Sequence, residues 1–241
     1  MTTFIDPADV VCALAPGSGQ FFIEVLDECD STNIFLLDRA RSGAPSGTVI
    51  ISGRQTGGRG RRGRPWFSAP GDSLTFSLLW RLARSPDGLP LAVGLALSEA
   101  VGGMLKWPND LLVDGRKLGG ILIELSGNAA VIGIGLNLRL PDCLPDDVRT
   151  TSAALGEESS LNERLAQLLS ALFVTLSEFD EGGFARLRPR WLARCAHLGS
   201  VVNIVSDAAT LTGRCTGVDD DGALLLETAD GVVLRILSGE V

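Results

Sequence analysis

Tyrosine is absent from this 241-residue chain, histidine occurs once, at His197, and only two of the 21 basic residues are lysine. A single histidine excludes a multi-histidine metal centre and leaves any serine or cysteine triad dependent on one position; an ordinary, partly buried histidine is the simpler reading. No apolar run approaches the roughly 18 residues of a membrane-spanning helix, and no basic residue precedes Arg39, so the start lacks the charged region of a signal peptide. The cysteines, Cys12, Cys29, Cys143, Cys195 and Cys215, are odd in number and form no CxxC pair. Together these absences predict reduced, mostly buried thiols in a soluble cytosolic protein.

Positive charge is scarce as well, with a net charge of -8, yet five arginines and five glycines are packed into GRQTGGRGRRGR between Gly53 and Arg64. A surface for a polyanion would be spread over a domain, so confinement of the charge to one segment points to a small anion. Glycine lets backbone N–H groups converge, and arginine offers forked donors that suit phosphate or carboxylate oxygens. A solvated charged loop is the plain alternative. The two lysines, Lys106 and Lys117, both fall within LKWPNDLLVDGRKLGG. Where arginine is otherwise the rule, whether by compositional bias or not, a retained lysine suggests a task for a compact point charge.

Periodicity predicts strands over 21–27, 48–53, 73–82 and 129–138, and helices from Asp30 or Ser31 to about Arg41 and over 91–101, 161–179 and 184–196. A hairpin is expected around Asp114-Gly115. From Leu198 the pattern turns to short strands with turn signals, so the expected organisation is a main α/β domain over 1–197 and a small β-barrel over 198–241. Gly58-Arg-Gly-Arg-Arg-Gly63 satisfies GxGxxG, but Pro65 and Pro70 follow where a dinucleotide site needs a helix, and no Gly-Lys-Ser/Thr ends the run. Both nucleotide-loop readings are rejected.

DSTN (30–33), GRQTGGRGRRGRPWFS (53–68), KWPNDLLVDGRKLGGIL (106–122), GIGLN (133–137) and the tail GRCTGVDDDGALLLET with a closing Gly-Glu-Val resemble, in order and spacing, the bacterial biotin protein ligases. The resemblance covers nearly the whole chain. It implies a mixed central β-sheet flanked by helices, followed by an SH3-like barrel. It also implies formation of biotinyl-5′-AMP and pyrophosphate from biotin and ATP, then transfer of the biotinyl group to a lysine of the biotin carboxyl carrier protein.

Carried over residue by residue, the resemblance places Ser31, Thr32, Asn33 and Gln55 at the biotin ring. Gly58, Arg59, Gly60, Arg61 and Arg64 belong to the loop over biotin and the adenylate, with Gly119 and Asn137 also at the substrate, while Arg54, Arg62 and Arg64 could each be a ligand or merely solvated. Lys117 contacts the biotin carboxylate and the reacting phosphate. Lys117, Arg61 and Asp110 form the catalytic set, Asp110 orienting the acceptor amine or taking its proton. Asn109 and Lys106 support the site, Lys106 through a salt bridge that holds the turn, and Pro108 fixes the turn geometry. Trp66 is an adenine lid or a core tryptophan. Asp30 and Ser31 also suffice as an ordinary helix cap. Mg²⁺ is expected on the ATP phosphates, with no protein metal ligand assigned.

DSTN begins at residue 30, leaving no room for an N-terminal winged helix, so the expectation is a monofunctional ligase without DNA binding; a homodimer through a sheet edge is compatible. Gly102-Gly103 makes the approach to KWPND short, and Pro65 follows the loop where a basic residue is common. Three alternatives compete: a lipoate or octanoate ligase or transferase of the same fold, an RNA-binding module using the Arg/Gly segment, and a catalytically dead biotin sensor.

Overall fold

A computed structural model describes residues 5–67, 70–141, 144–156, 160–206 and 209–241; Ser68 and Cys143 lie outside the described residues. After a short helix α1 (Pro7–Ala13) come β1 (Phe22–Cys29), α2 (Thr32–Arg41), β2 (Thr48–Gln55) and β3 (Ser73–Arg81). Helix α3 (Leu89–Val101) leads into β4 (Met104–Lys106), β5 (Asp110–Val113), β6 (Arg116–Ser126) and β7 (Ala129–Asn137). Helices α4 (Asp146–Thr151), α5 (Leu161–Gly182) and α6 (Phe184–Leu192) precede β8 (Val201–Val205), β9 (Thr210–Val218), β10 (Leu224–Glu227) and β11 (Val233–Ile236).

The first seven strands form one mixed sheet in the order β1-β2-β3-β7-β6-β5-β4, parallel only between β1 and β2. Successive side chains on a strand point to opposite faces, and here both faces are covered. Ile50, Leu79, Ala129 and Val131 pack with Leu36, Leu37 and Ala40 of α2 on one side. Their neighbours Val49, Ile51, Leu78, Ala130 and Ile132 face α3, α5 and α6 on the other. Burial on both faces is why adjacent residues such as Ile50 and Ile51, or Leu78 and Leu79, are apolar and buried together instead of alternating with polar ones.

Helix α3 is apolar nearly all round because it lies between the sheet and the amphipathic α5, whose Leu165, Leu169, Leu172 and Leu176 face inward. Gly102 and Gly103 then turn the chain directly into β4 at φ 81° and 94°. A side chain at Gly103 would collide with the Leu112 carbonyl at 2.5 Å, which explains the short connection. The hairpin forms as expected around Asp114 and Gly115, at φ 50° and 72°.

Two expectations need correction. Helix α6 stops at Leu192 instead of continuing to 196, because the backbone of Arg194 and Ala196 pairs with Leu105 of β4. Of the four described cysteines, all free, only Cys195 and Cys215 are buried; Cys29 is half-buried and Cys12 exposed. The C-terminal strands form a separate antiparallel sheet, β11-β10-β9-β8, with the tail closing on it through a Val205–Glu240 bridge. Among the described residues no helix is long and apolar enough to cross a membrane.

Candidate active site

The ends of β2, β6 and β7, the start of α2 and the Arg/Gly segment surround a cavity of about 380 Å³. Most of the residues singled out by motif line it: Ser31, Thr32, Asn33, Gln55, Arg59 and Gly60 on one side, with Arg61, Arg64, Trp66, Asp110, Lys117 and Asn137 completing the wall. Gly58 and Gly119 sit behind that wall. A side chain at Gly58 would meet the Trp66 carbonyl at 2.8 Å, and one at Gly119 would meet the Leu136 side chain at 2.4 Å. Both glycines therefore serve close backbone approach.

The DSTN segment is not capped as expected, since neither Asp30 nor Ser31 bonds to the helix backbone with its side chain. Gln55 at the end of β2 does so from across the sheet, its Oε1 accepting from the Thr32 N–H at 2.8 Å and from the Thr32 hydroxyl at 3.1 Å. Asn33 Nδ2 donates to the Leu122 carbonyl at 3.1 Å and to Glu124 at 2.9 Å, and Ser77 Oγ donates to Asn33 Oδ1 at 2.6 Å. Buried amides held on both ends keep one orientation and present fixed donors and acceptors. The glycines of GIGLN follow from this: a Cβ at Gly133 would lie 2.3 Å from Asn33 Oδ1, and one at Gly135 would lie 2.4 Å from the Trp66 ring. Trp66 is half-buried with its ring resting on Gly135, and its buried Nε1 has no hydrogen-bond partner among the described residues.

Lys117 owes its direction to an irregularity. The β5–β6 register pairs Leu111 with Gly119 but Leu112 with Lys117, so Leu118 is the extra residue of a bulge. Bulges of this kind re-aim a neighbouring side chain. Leu118 goes into the core, while Lys117 reaches over Gly120 to Asp110, with Nζ 2.7 Å from Oδ1. Asn137 Nδ2 donates to the carbonyls of Lys117 at 3.3 Å and Ala153 at 3.0 Å, so it fixes the backbone beneath the lysine. The salt bridge expected for Lys106 is not formed: among the described residues no carboxylate lies within 4.0 Å of it, and it lines the cavity instead.

The Arg/Gly segment turns through a three-residue 3-10 turn, Arg61–Gly63, with Arg62 at φ 55°. It is tethered at several points. Arg59 meets Glu124 at 3.3 Å, Arg64 meets Glu240 at 2.6 Å, and Arg61 donates to Asn109 Oδ1 at 3.1 Å and to the Gly239 carbonyl at 3.4 Å. Burial pushes the Arg61 guanidinium below the usual arginine range, with the Glu240 carboxylate opposing the shift. Cations gathered around a cleft in an acidic protein make a receptor for a small anion.

A profile for the biotin/lipoate A/B protein ligase family matches residues 25–139, and one for the biotin protein ligase C terminal domain matches residues 197–241. The bifunctional ligase/repressor BirA of Escherichia coli is 35% identical over 236 residues, which cover 91% of this chain and 73% of that protein. The biotin–[acetyl-CoA-carboxylase] ligase of Mycobacterium tuberculosis is 32% identical over 244 residues, covering 95% and 91%. A solved biotin protein ligase from Aquifex aeolicus, in complex with biotin and ATP, matches with a TM-score of 0.78 at 31% identity, covering 90% of this chain and 96% of that one. The chain belongs to the biotin protein ligase family.

For this ligase family member, sequence reasoning missed Glu124, which joins Asn33 to Arg59, and Glu240, which lines the cavity from the far end of the chain. Glu124 was findable, because it continues the alternate positions of Gly120 and Leu122 along β6. Leu144, Val148 and Ser152 at and around α4 also reach the cavity, and no local pattern marks that short polar helix.

Proposed function

We propose that this protein activates biotin with ATP to biotinyl-5′-AMP and pyrophosphate, then transfers the biotinyl group to a lysine of the biotin carboxyl carrier protein of acetyl-CoA carboxylase. The observation that carries this reading is that Lys117 and Arg61 line the same cavity as the fixed Thr32–Asn33–Gln55 network. That network offers the neutral donors and acceptors a ureido ring needs. At the other end, attack of a carboxylate on the α-phosphate brings two anions together, and Lys117 with Arg61 offsets their repulsion and the charge developing on pyrophosphate. In transfer, the acceptor amine attacks the acyl carbon and AMP leaves; Asp110, which lines the same cavity, is the carboxylate assigned to that amine in this reading.

No cluster of three metal-ligating side chains occurs among the described residues, and the carboxylates of Asp110, Glu124 and Glu240 are each engaged by a cation. Mg²⁺ is expected to arrive with ATP as its substrate complex, held largely by phosphates and water. The catalytic unit is taken as 1–197 and the barrel as 198–241, supported by the separate sheet that begins at Val201. Free thiols support a cytoplasmic site of action, and the outer edge of β1 is open for a homodimer.

ATP–pyrophosphate exchange with biotin, lipoate and octanoate in turn tests the reading. Exchange is expected with biotin alone and falls by roughly 10²–10³ in Lys117→Ala, the loss of one preorganised donor. Exchange supported by lipoate would move the protein to the neighbouring branch of the family.

A further inference from the structure

A site that makes an acyl adenylate makes an amine-reactive anhydride, and this one contains amines of its own. The chain's only two lysines, Lys106 and Lys117, both line the cavity. The remaining cations at the wall, Arg59, Arg61 and Arg64, carry guanidinium groups, which stay protonated and do not act as acyl acceptors. Lys117 is the exposed risk. Its chain lies over Gly120, with Cε and Nζ each 3.3 Å from where a Cβ would stand, in the part of the cavity walled by Trp66. A lysine placed to touch the reacting carboxylate is also placed to attack the acyl carbon formed from it.

We infer that Asp110 shields Lys117 from acylation by the adenylate the site produces, so that the acyl group is reserved for an amine arriving from outside. The inference rests on the proposed ligase reading and adds a role for Asp110 distinct from handling the acceptor. The ion pair at 2.7 Å engages the Lys117 nitrogen and draws it toward β5. The Asp110 side chain is well covered and Lys117 is more open, at 19% and 38% exposed, so the carboxylate is the fixed partner and the lysine the group being held. Lys117 can then stabilise phosphate charge as a cation without becoming a nucleophile.

The balanced side reaction is attack of neutral Lys117 Nζ on the acyl carbon of biotinyl-5′-adenylate. An amide N–C bond forms, the C–O bond to the phosphate breaks, AMP departs, and the amine proton goes to water. Asp110→Asn removes the charge while keeping the shape. Synthetic biotinyl-5′-adenylate is supplied to wild type, Asp110→Asn, Asp110→Glu and Asp110→Asn/Lys117→Arg, with no carrier protein present. Adducts are located by intact mass and peptide mapping, and adenylate binding by thermal shift.

The expected result is near-stoichiometric biotin on Lys117 in Asp110→Asn, little in wild type and in Asp110→Glu, and none in the double variant. A purely structural role for Asp110 would not create a new covalent adduct at a defined lysine. Asp110→Asn that binds the adenylate without modification of Lys117, or with modification of Lys106 alone, overturns the inference. So does loss of adenylate binding in that variant, because Asp110 would then hold the site together without guarding it. Failure of the wild type to bind the adenylate or to catalyse biotin-dependent pyrophosphate exchange would instead reject the underlying ligase reading.

Discussion

The indole N–H of Trp107 donates to the Gly222 carbonyl at 3.0 Å, joining the KWPND segment to the turn between β9 and β10. Trp107 is buried and lines the cavity, and Gly222 is packed against Gly88 so closely that a Cβ would lie 2.8 Å from its Cα. The C-terminal sheet thus braces the segment that carries Asn109 and Asp110. Trp107→Phe leaves the Gly222 carbonyl without its partner inside the protein. Stability should fall by about 1–3 kcal/mol, read as a lower urea midpoint.

Gly133→Ala should weaken biotin binding without touching any charged group. Its methyl would occupy the position of Asn33 Oδ1, only 2.3 Å away, and displace the amide that Ser77 and Glu124 hold in place. Overpacking of about 1–3 kcal/mol corresponds to a dissociation constant raised on the order of 10- to 100-fold by calorimetry. Unchanged affinity would mean that Asn33 does not shape the biotin site.

The Arg/Gly segment should be cut by trypsin more slowly when biotin and ATP are present. Its tethers to Glu124 and Glu240 involve arginines with side chains 44% and 66% exposed, and exposed ion pairs contribute little. Anionic ligands would add contacts and order the segment. Equal cleavage rates at Arg59, Arg61 and Arg62 with and without ligands would remove the case for ligand-dependent ordering.

His197 links stability to acid. Burial first, and then the charge of Lys106, hold it below its ordinary value of 6.5 in the folded protein. As pH falls through that value the unfolded ring takes a proton while the folded ring resists, so this contribution is fully present above 6.5 and declines below it. His197→Gln should flatten the decline in melting temperature between about pH 7 and pH 5.5, where histidine is the side chain that titrates. A variant curve parallel to the wild type would assign the decline to carboxylates.

Much of the architecture is legible in the chain because periodicity and turn chemistry are local. The hairpin at Asp114-Gly115 and helices α2 and α5 need only their own neighbours to be recognised. Strand β4 was invisible: three residues, Met104–Lys106, are too few for a pattern and extend only because β5 and the Arg194–Ala196 backbone pair with them. Helix α6 ends before its periodicity does for the same reason, the residues of its expected last turn being drawn into that pairing. Asn137 could be placed at the site by its motif, but its two bonds to the carbonyls of Lys117 and Ala153 join segments remote in sequence.

The sequence by itself determined which residues would meet: glycines that admit close approach, arginines confined to one segment, and two lysines kept in one motif specify the chemistry of a small-anion site. Only the tertiary structure decided how they are poised. Gln55 caps α2 from another strand, a bulge at Leu118 sends Lys117 to Asp110, and Glu240 returns from the far end of the chain to Arg64. Residue type fixes charge and donor geometry locally, whereas the partner that a charge finds depends on sheet register and on which segments pack together.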